Sequence, residues 1–538
     1  MNLPRLILAA AILVGIAADA LLRGGFVGIA FPIWIAIVAL GAVTVARRAK
    51  RPVPREALAW LLVAVIAAVG MAWRASPQLQ AFDFLASLFA LGLAAIALGQ
   101  PASSLFGGRV RDTLWAGARV LRDVFIGAIP LTWRELLAPS VRDSASRRGW
   151  PVVRTVLIVV ALVGVFGSLL RDADPLFASL LALPDFDLGV AISHVLITGF
   201  FAWVFAGWSR GAFISAATAG RPPERLPFTL GLTDMTAALV TLDVLFTLFM
   251  IAQLGWLFGG ESFLQARTGL TAAEYARQGF FQMVFVVVLV VPLLMATRAL
   301  LIPGAEAARR YTRLAIPMVV LLVAMLVSAA IRMRLYVQYF GLTTDRFYTL
   351  AIMAWLAFVL IWLGVTTLRG RDQRFVAGAV VAGFVTLFVL NAMAPDALVA
   401  RMNVARAQRA TSAGGVPLDL DYLSTLSGDA MAIVIPATLA PPAHISESTR
   451  GAAGSGEEMS PVTQRCLAAR RIRARWSPSS RTAGRLDADG AWRQWNAGDN
   501  RALQLAAENA RPLLAVQHDA CAAARLAGAH IGSGALYR

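Results

Sequence analysis

What most constrains this chain is a series of apolar runs, each long enough as a helix to cross about 30 Å of hydrocarbon. They fall near residues 6–22, 26–46, 57–73, 84–100, 152–170, 189–208, 231–257, 279–302, 315–331, 347–368 and 375–391. A soluble domain has no use for so many. With 58% hydrophobic and only 15% charged residues, the expected fold class is an all-α integral membrane protein of about eleven transmembrane helices.

The formal net charge of +18 would suggest a nucleic-acid partner in a soluble protein. Here most of the basic residues sit in short connections between apolar runs, where they set topology, and no nucleic acid is expected. Of the 49 Lys and Arg, 25 lie in alternate connections, around Arg5, Arg47 to Arg55, Arg109 to Arg154, Arg210 to Arg225, Arg298 to Arg313 and Arg369 to Arg374. The opposite connections hold eight, Arg23, Arg74, Arg171, Arg267, Arg277, Arg332, Arg334 and Arg346, and the remaining 16 follow residue 391. Basic residues favour the cytoplasmic side, so the expectation is a bacterial inner-membrane protein with its N-terminus inside and its C-terminal tail outside. Residues 6–17 followed by Ala18, Asp19 and Ala20 also admit a signal-peptide reading, against which stand the single Arg5 and the acidic residue at the would-be site.

The chain divides by character into four stretches. Residues 1–100 read as a four-span region, 101–151 as a cytoplasmic loop, 152–391 as a seven-span core and 392–538 as a small, mostly helical extracytoplasmic region. Within the loop, Val110, Leu114, Leu121, Val124 and Phe125 recur near the helical period, with Arg111, Asp112, Arg119, Arg122 and Asp123 on much of the remaining arc. Such a helix either lies on the lipid head groups or packs against the ends of the bundle.

Polar groups at membrane depth are the first candidates for function. Asp243 lies near the middle of its run, where an ionised carboxylate in hydrocarbon costs at least about 2.5 kcal/mol and must face protein or water. It is read either as a proton or ion relay or as a hydrogen-bonded link between helices. Gln253 falls roughly on its face, and His194 stands near the outer end of its own run as a packed or interfacial group. Outside the membrane, Asp172, Asp174, Asp185 and Asp187 flank an apolar segment without the spacing of a calcium loop, and Thr271 with Glu274 has the form of a capping box.

A second group is the stretch from residue 332 to 348, read as a polar loop leading into an apolar span. Arg332, Arg334 and Arg346 lie on the side where arginines are scarce, with Tyr336, Tyr339, Thr343, Asp345 and Tyr348 close by. Arginine forks and tyrosine hydroxyls suit an anionic ligand. The plainer reading is an interfacial tyrosine belt with arginines paired to Asp345 or to head groups.

The run R-M-R-L-Y-V-Q-Y-F-G-L-T-T-D-R-F-Y, with Q-L-G-W-L-F-G-G and E-Y-A-R-Q-G-F-F before it, resembles bacterial polytopic membrane proteins catalogued as domain of unknown function 4173, from about residue 150 to about 430. The resemblance implies a multi-span bundle with Tyr336, Gly341, Leu342, Thr343, Arg346 and Tyr348 in its most recognisable motif. It brings no established activity. Phe340 stands where that motif has a tyrosine.

In the tail, residues 395–412 and 418–435 have helical patterning, the segment from Pro436 to Glu458 reads as a linker, and another helix begins near Asp499 or Asn500 as its cap. Cys466 and Cys521, the only cysteines, both fall here, where a disulfide is permitted. No phosphate-binding glycine loop, zinc-protease motif or nucleophile elbow is present, and no metal or cofactor is expected. Three functions remain open. They are an envelope membrane protein binding a partner through its outer tail, a proton-coupled transporter or lipid-moving protein using Asp243 and the outer arginines, and a membrane-embedded transferase acting on an anionic lipid.

Overall fold

The computed structural model describes residues 2–99, 105–106, 110–133, 188–216, 231–268, 280–302, 304–409, 418–441, 460–477 and 492–526, with isolated positions 155, 159, 162 and 166. Among the described residues the protein is all-α, and ten helices are long and apolar enough to cross a membrane. It is a polytopic membrane protein. Apart from those isolated positions the span expected at 152–170 lies outside the described residues, as do the acids from Asp172 to Asp187 and the Thr271–Glu274 pair.

Contacts divide the chain into two compact units. The first comprises residues 1–69, 84–222 and 492–494. Its helices are α1 (Leu3–Leu22), α2 (Ala30–Arg48), most of α3 (Arg55–Trp73) and α4 (Pro77–Gly99), α5 (Val110–Ile126) and α6 (Leu188–Arg210). The α1 helix packs closely along α6 because Gly15 has no side chain; a methyl group there would lie 2.4 Å from the Thr198 carbonyl oxygen. Close backbone approach through small residues is how helices associate where water supplies no hydrophobic drive.

The amphipathic α5 packs into the unit through one face. Ala116, Val120 and the carboxylate-bearing Asp123 are buried, and Asp123 pairs with Arg210 of α6 at 3.4 Å. Gly207 lets α6 meet the α5 backbone, and Trp203 Nε1 donates to the Phe125 carbonyl at 2.9 Å. On the other face Leu114, Leu121 and Phe125 stay exposed, with Arg122 beside them. Asp123 is therefore an anchor inside the unit rather than part of a solvated arc.

The second unit comprises residues 70–83, 223–491 and 495–538. Its membrane part is built from α7 (Leu232–Thr268), α8 (Phe280–Leu300), α9 (Ala305–Phe340), α10 (Thr344–Thr366) and α11 (Asp372–Met393). Leu239, Leu294, Met318, Leu322 and Leu360 are fully buried at its centre, where the Tyr311 hydroxyl donates to the Leu294 carbonyl at 3.0 Å.

One expectation is corrected here. Residues 332–340 are not loop but the last turns of α9, a helix of 36 residues and therefore about 54 Å. No glycine or proline interrupts the sequence between Pro317 and Gly341, so the helix continues well past the hydrocarbon thickness. The connection to α10 is just Gly341 to Thr343.

The tail forms a second core. Helices α12 (Pro395–Arg409), α13 (Leu420–Thr425), α14 (Met431–Leu439), α15 (Pro461–Arg475), α16 (Ala497–Glu508) and α17 (Ala510–Leu526) bury Val399, Leu420, Met431, Val434, Ile472, Ala502 and Leu513 together with Leu342. Cys466 of α15 and Cys521 of α17 are disulfide-bonded. Two boundaries differ from expectation. The linker expected from Pro436 is helical as far as Leu439, and α16 is capped by Asn496, whose Oδ1 accepts from Asp499 N at 3.1 Å.

Candidate functional site

The polar groups of the second unit gather on either side of the first turn of α10. At the bend, Gly341 has φ +80°, and a methyl there would lie 2.7 Å from Arg406 Nη2 and 2.8 Å from Asn403 Oδ1. Only glycine suits this position. Asn403 holds the next residue by both backbone groups: its Nδ2 donates to the Leu342 carbonyl at 2.6 Å, and its Oδ1 accepts from Leu342 N at 3.1 Å. Thr343 caps α10 by accepting from Arg346 N, and Thr344 N donates to the half-buried Tyr422 hydroxyl at 2.9 Å.

Two guanidinium groups close on this bend. Arg346 donates from Nη1 to the Gly341 carbonyl and lies 4.0 Å above the Tyr336 ring, a cation–π arrangement. Arg406 approaches from α12. Burial, and then the like charge of Arg346, hold Arg406 below the usual arginine range.

On the other side lies a buried network of carboxyls. The Tyr348 hydroxyl is 3.0 Å from Ser76 Oγ, which donates to Asp396 Oδ1 at 3.4 Å. Asp396 Oδ2 accepts from Ser427 N at 3.1 Å, and Asp429 Oδ2 accepts from Ala75 N at 2.9 Å. Arg74 Nη1 lies 3.8 Å from Asp429, and Arg74 Nε donates to the Asn391 carbonyl at 2.6 Å. Asn391 Nδ2 in turn donates to Asp83 Oδ1 at 2.8 Å. Asn496 Nδ2 donates to the carbonyls of Met71 and Arg74. Burial pushes the Asp429 carboxyl above the usual range, against the hydrogen bond from Ala75 and the charge of Arg74. Among the described residues no cluster of three His, Cys, Asp or Glu has the form of a metal site.

The residues singled out from sequence separate into different places. Tyr336, Thr343 and Arg346 meet at the Gly341 bend, whereas Tyr348 turns away to Ser76. Arg332 is buried one turn before Tyr336, and Arg334 is exposed on another face of α9, so the three arginines do not converge. Asp243 lies between Leu239 and Phe246 on the packed face of α7. Its Oδ1 is buried with no hydrogen-bond partner among the described residues. In the first unit, exposed His194 contacts Asp19 through Nδ1, and Arg23 donates to both Asp19 and Ser193. The side chains of Tyr339 and Gln253 lie outside the described residues.

Sequence reasoning missed Asp83, Asn391, Asp396, Asn403, Arg406 and Asp429. Asp83 stood just before an expected span and Asn391 at the end of another, so each looked like a boundary residue. Arg406 carried no signal beyond being one arginine of a basic tail.

No curated protein and no solved structure matches the chain. The family found is not the domain of unknown function 4173 that the motif around Gly341 resembles, and it extends further toward the N-terminus than that resemblance does. A family model matches over residues 57–436, and the chain thus belongs to the family described as Domain of unknown function (DUF4153).

Proposed function

We propose that the protein is a bacterial inner-membrane protein, N-terminus inside and tail outside, whose tail-side face is a binding surface for an envelope partner. The observation that carries this reading is the hydrogen-bonded chain from Ser76 to Tyr348 and Asp396, with Ala75 N donating to Asp429. The tail is thereby joined to the connections of the membrane helices by buried polar contacts, and works as part of the second unit rather than as a tethered appendage.

Orientation has one support besides the distribution of basic residues, and the count of crossings has one internal check. The Cys466–Cys521 bond suits an oxidising compartment. Ser76 and Tyr348, being hydrogen-bonded, also require an even number of crossings between them. Six spans are expected from the sequence in that interval, including the stretch 152–170.

Photo-crosslinking side chains placed at exposed Gln504 and Leu514 test the binding reading in living cells. A discrete protein adduct from the tail, absent when the group is placed at exposed Leu245 in the apolar span of α7, is expected. Lipid or self adducts alone from every tail position would contradict it.

A second reading, proton-coupled transport or lipid movement, is favoured by the buried Oδ1 of Asp243. Asp243→Asn should then abolish proton-linked flux in proteoliposomes while leaving the thermal midpoint near that of the parent. Unchanged flux would remove its support.

A further inference from the structure

Arg406 presents an unmet demand at the Gly341 bend. Its Nε and Nη1 are buried without a hydrogen-bond partner among the described residues, and no ion pair among the described residues includes it. Its Nη2 faces Gly341, where the absent side chain leaves room for the guanidinium. The neighbouring charge is Arg346, of the same sign, which is fixed by the Gly341 carbonyl and the Tyr336 ring. Like charges brought together at a half-buried position oppose folding, and buried donors without acceptors add to that cost. An anion reverses both effects.

We infer that the Gly341 bend binds a phosphate-class oxyanion, held by Arg406 with Arg346 at its side. A phosphate carries more charge and more acceptor oxygens than a single carboxylate, which matches two guanidinium groups. The bend joins two helices of membrane-spanning length, so both a lipid phosphodiester and a soluble phosphate can reach such a site. The inference goes beyond the partner-binding reading and does not depend on which side of the membrane the bend faces.

The test is ligand-induced thermal stabilisation of the full-length protein in detergent. One arm titrates inorganic phosphate, and the other compares short-chain phosphatidylglycerol with uncharged diacylglycerol. Stabilisation by inorganic phosphate that is lost in Arg406→Gln identifies a soluble source. Stabilisation by phosphatidylglycerol alone, lost in the same variant, identifies a lipid head group. Arg346→Gln should weaken the apparent affinity about ten-fold or more, the effect of losing one charged hydrogen bond. Arg406→Lys keeps the charge without the fork and serves, with Arg346→Gln, should Arg406→Gln fold poorly. Ligand-free Arg406→Gln should melt no lower than the parent, because it removes a buried cation rather than a satisfied one. Absence of stabilisation by either ligand, or equal stabilisation in parent and variants, would overturn the inference.

Discussion

The hydroxyl of Tyr348 lies 3.0 Å from the hydroxyl of Ser76, linking the first turn of α10 to the connection between α3 and α4 across 272 positions of sequence. Both groups are buried, and Ser76 also reaches Asp396 at the start of α12. Tyr348→Phe should therefore lower stability by about 1 kcal/mol, with Ser76→Ala similar. The double variant should lose less than the sum, because the two groups share one bond. Thermal unfolding in detergent, read as a double-mutant cycle, checks the coupling; strict additivity would mean that the hydroxyls act independently.

Gly341 and Gly370 make an internal comparison of backbone strain and crowding. Both have positive φ, +80° and +73°, but nothing lies within 4 Å of where a methyl on Gly370 would stand, while one on Gly341 meets Arg406 and Asn403 below 3 Å. Gly370→Ala should cost about 1 kcal/mol, and Gly341→Ala distinctly more. Equal losses in melting temperature would show that the bend does not hold Asn403 and Arg406 close.

Asp429 sets a pH dependence whose sign follows from burial. Its folded carboxyl titrates above the ordinary value of 3.8, so the folded state binds a proton more tightly than the unfolded chain does. That stabilising contribution is complete below the unfolded value and is lost as pH rises through the raised folded one. Melting temperature should fall across this window upward from about pH 4. Asp429→Asn should flatten the fall, and an unchanged slope would assign the pH dependence elsewhere.

The Cys466–Cys521 bond closes a sequence separation of 55 residues. On chain-entropy grounds its removal costs the tail about 4 kcal/mol. Cys466→Ser with Cys521→Ser should speed hydrogen exchange in α15 and α17 much more than in α9, whose core is separate.

How much of this was legible in sequence follows from what each interaction depends on. Membrane helices declare themselves by length and apolarity, so the described spans from α1 to α11 fall where expected. The end of α9 did not: Arg332, Arg334 and Tyr336 look like loop residues by polarity, although nothing before Gly341 stops the helix. At the site, local spacing exposed Tyr336, Thr343 and Arg346, which are separated by a few residues. It could not reveal Arg406, whose meaning comes from meeting Gly341 some sixty positions away. Asp83 and Asn391 were hidden for the same reason, since a polar residue at the edge of an apolar run looks solvated until its partner is known.

One compartment must hold the α3–α4 connection, the Gly341 bend and the tail. Single cysteines placed at exposed Gln78, Asp345 and Arg501, in a Cys466→Ser, Cys521→Ser background, can be labelled in spheroplasts with a membrane-impermeant maleimide, with Arg48→Cys as the opposite-side control. The expected result is that the first three react from outside and the Arg48 position reacts only after permeabilisation. If Gln78 and Arg501 label from opposite sides, the Ser76–Tyr348–Asp396 network cannot exist in the membrane-inserted protein; if all three require permeabilisation, the proposed orientation is reversed.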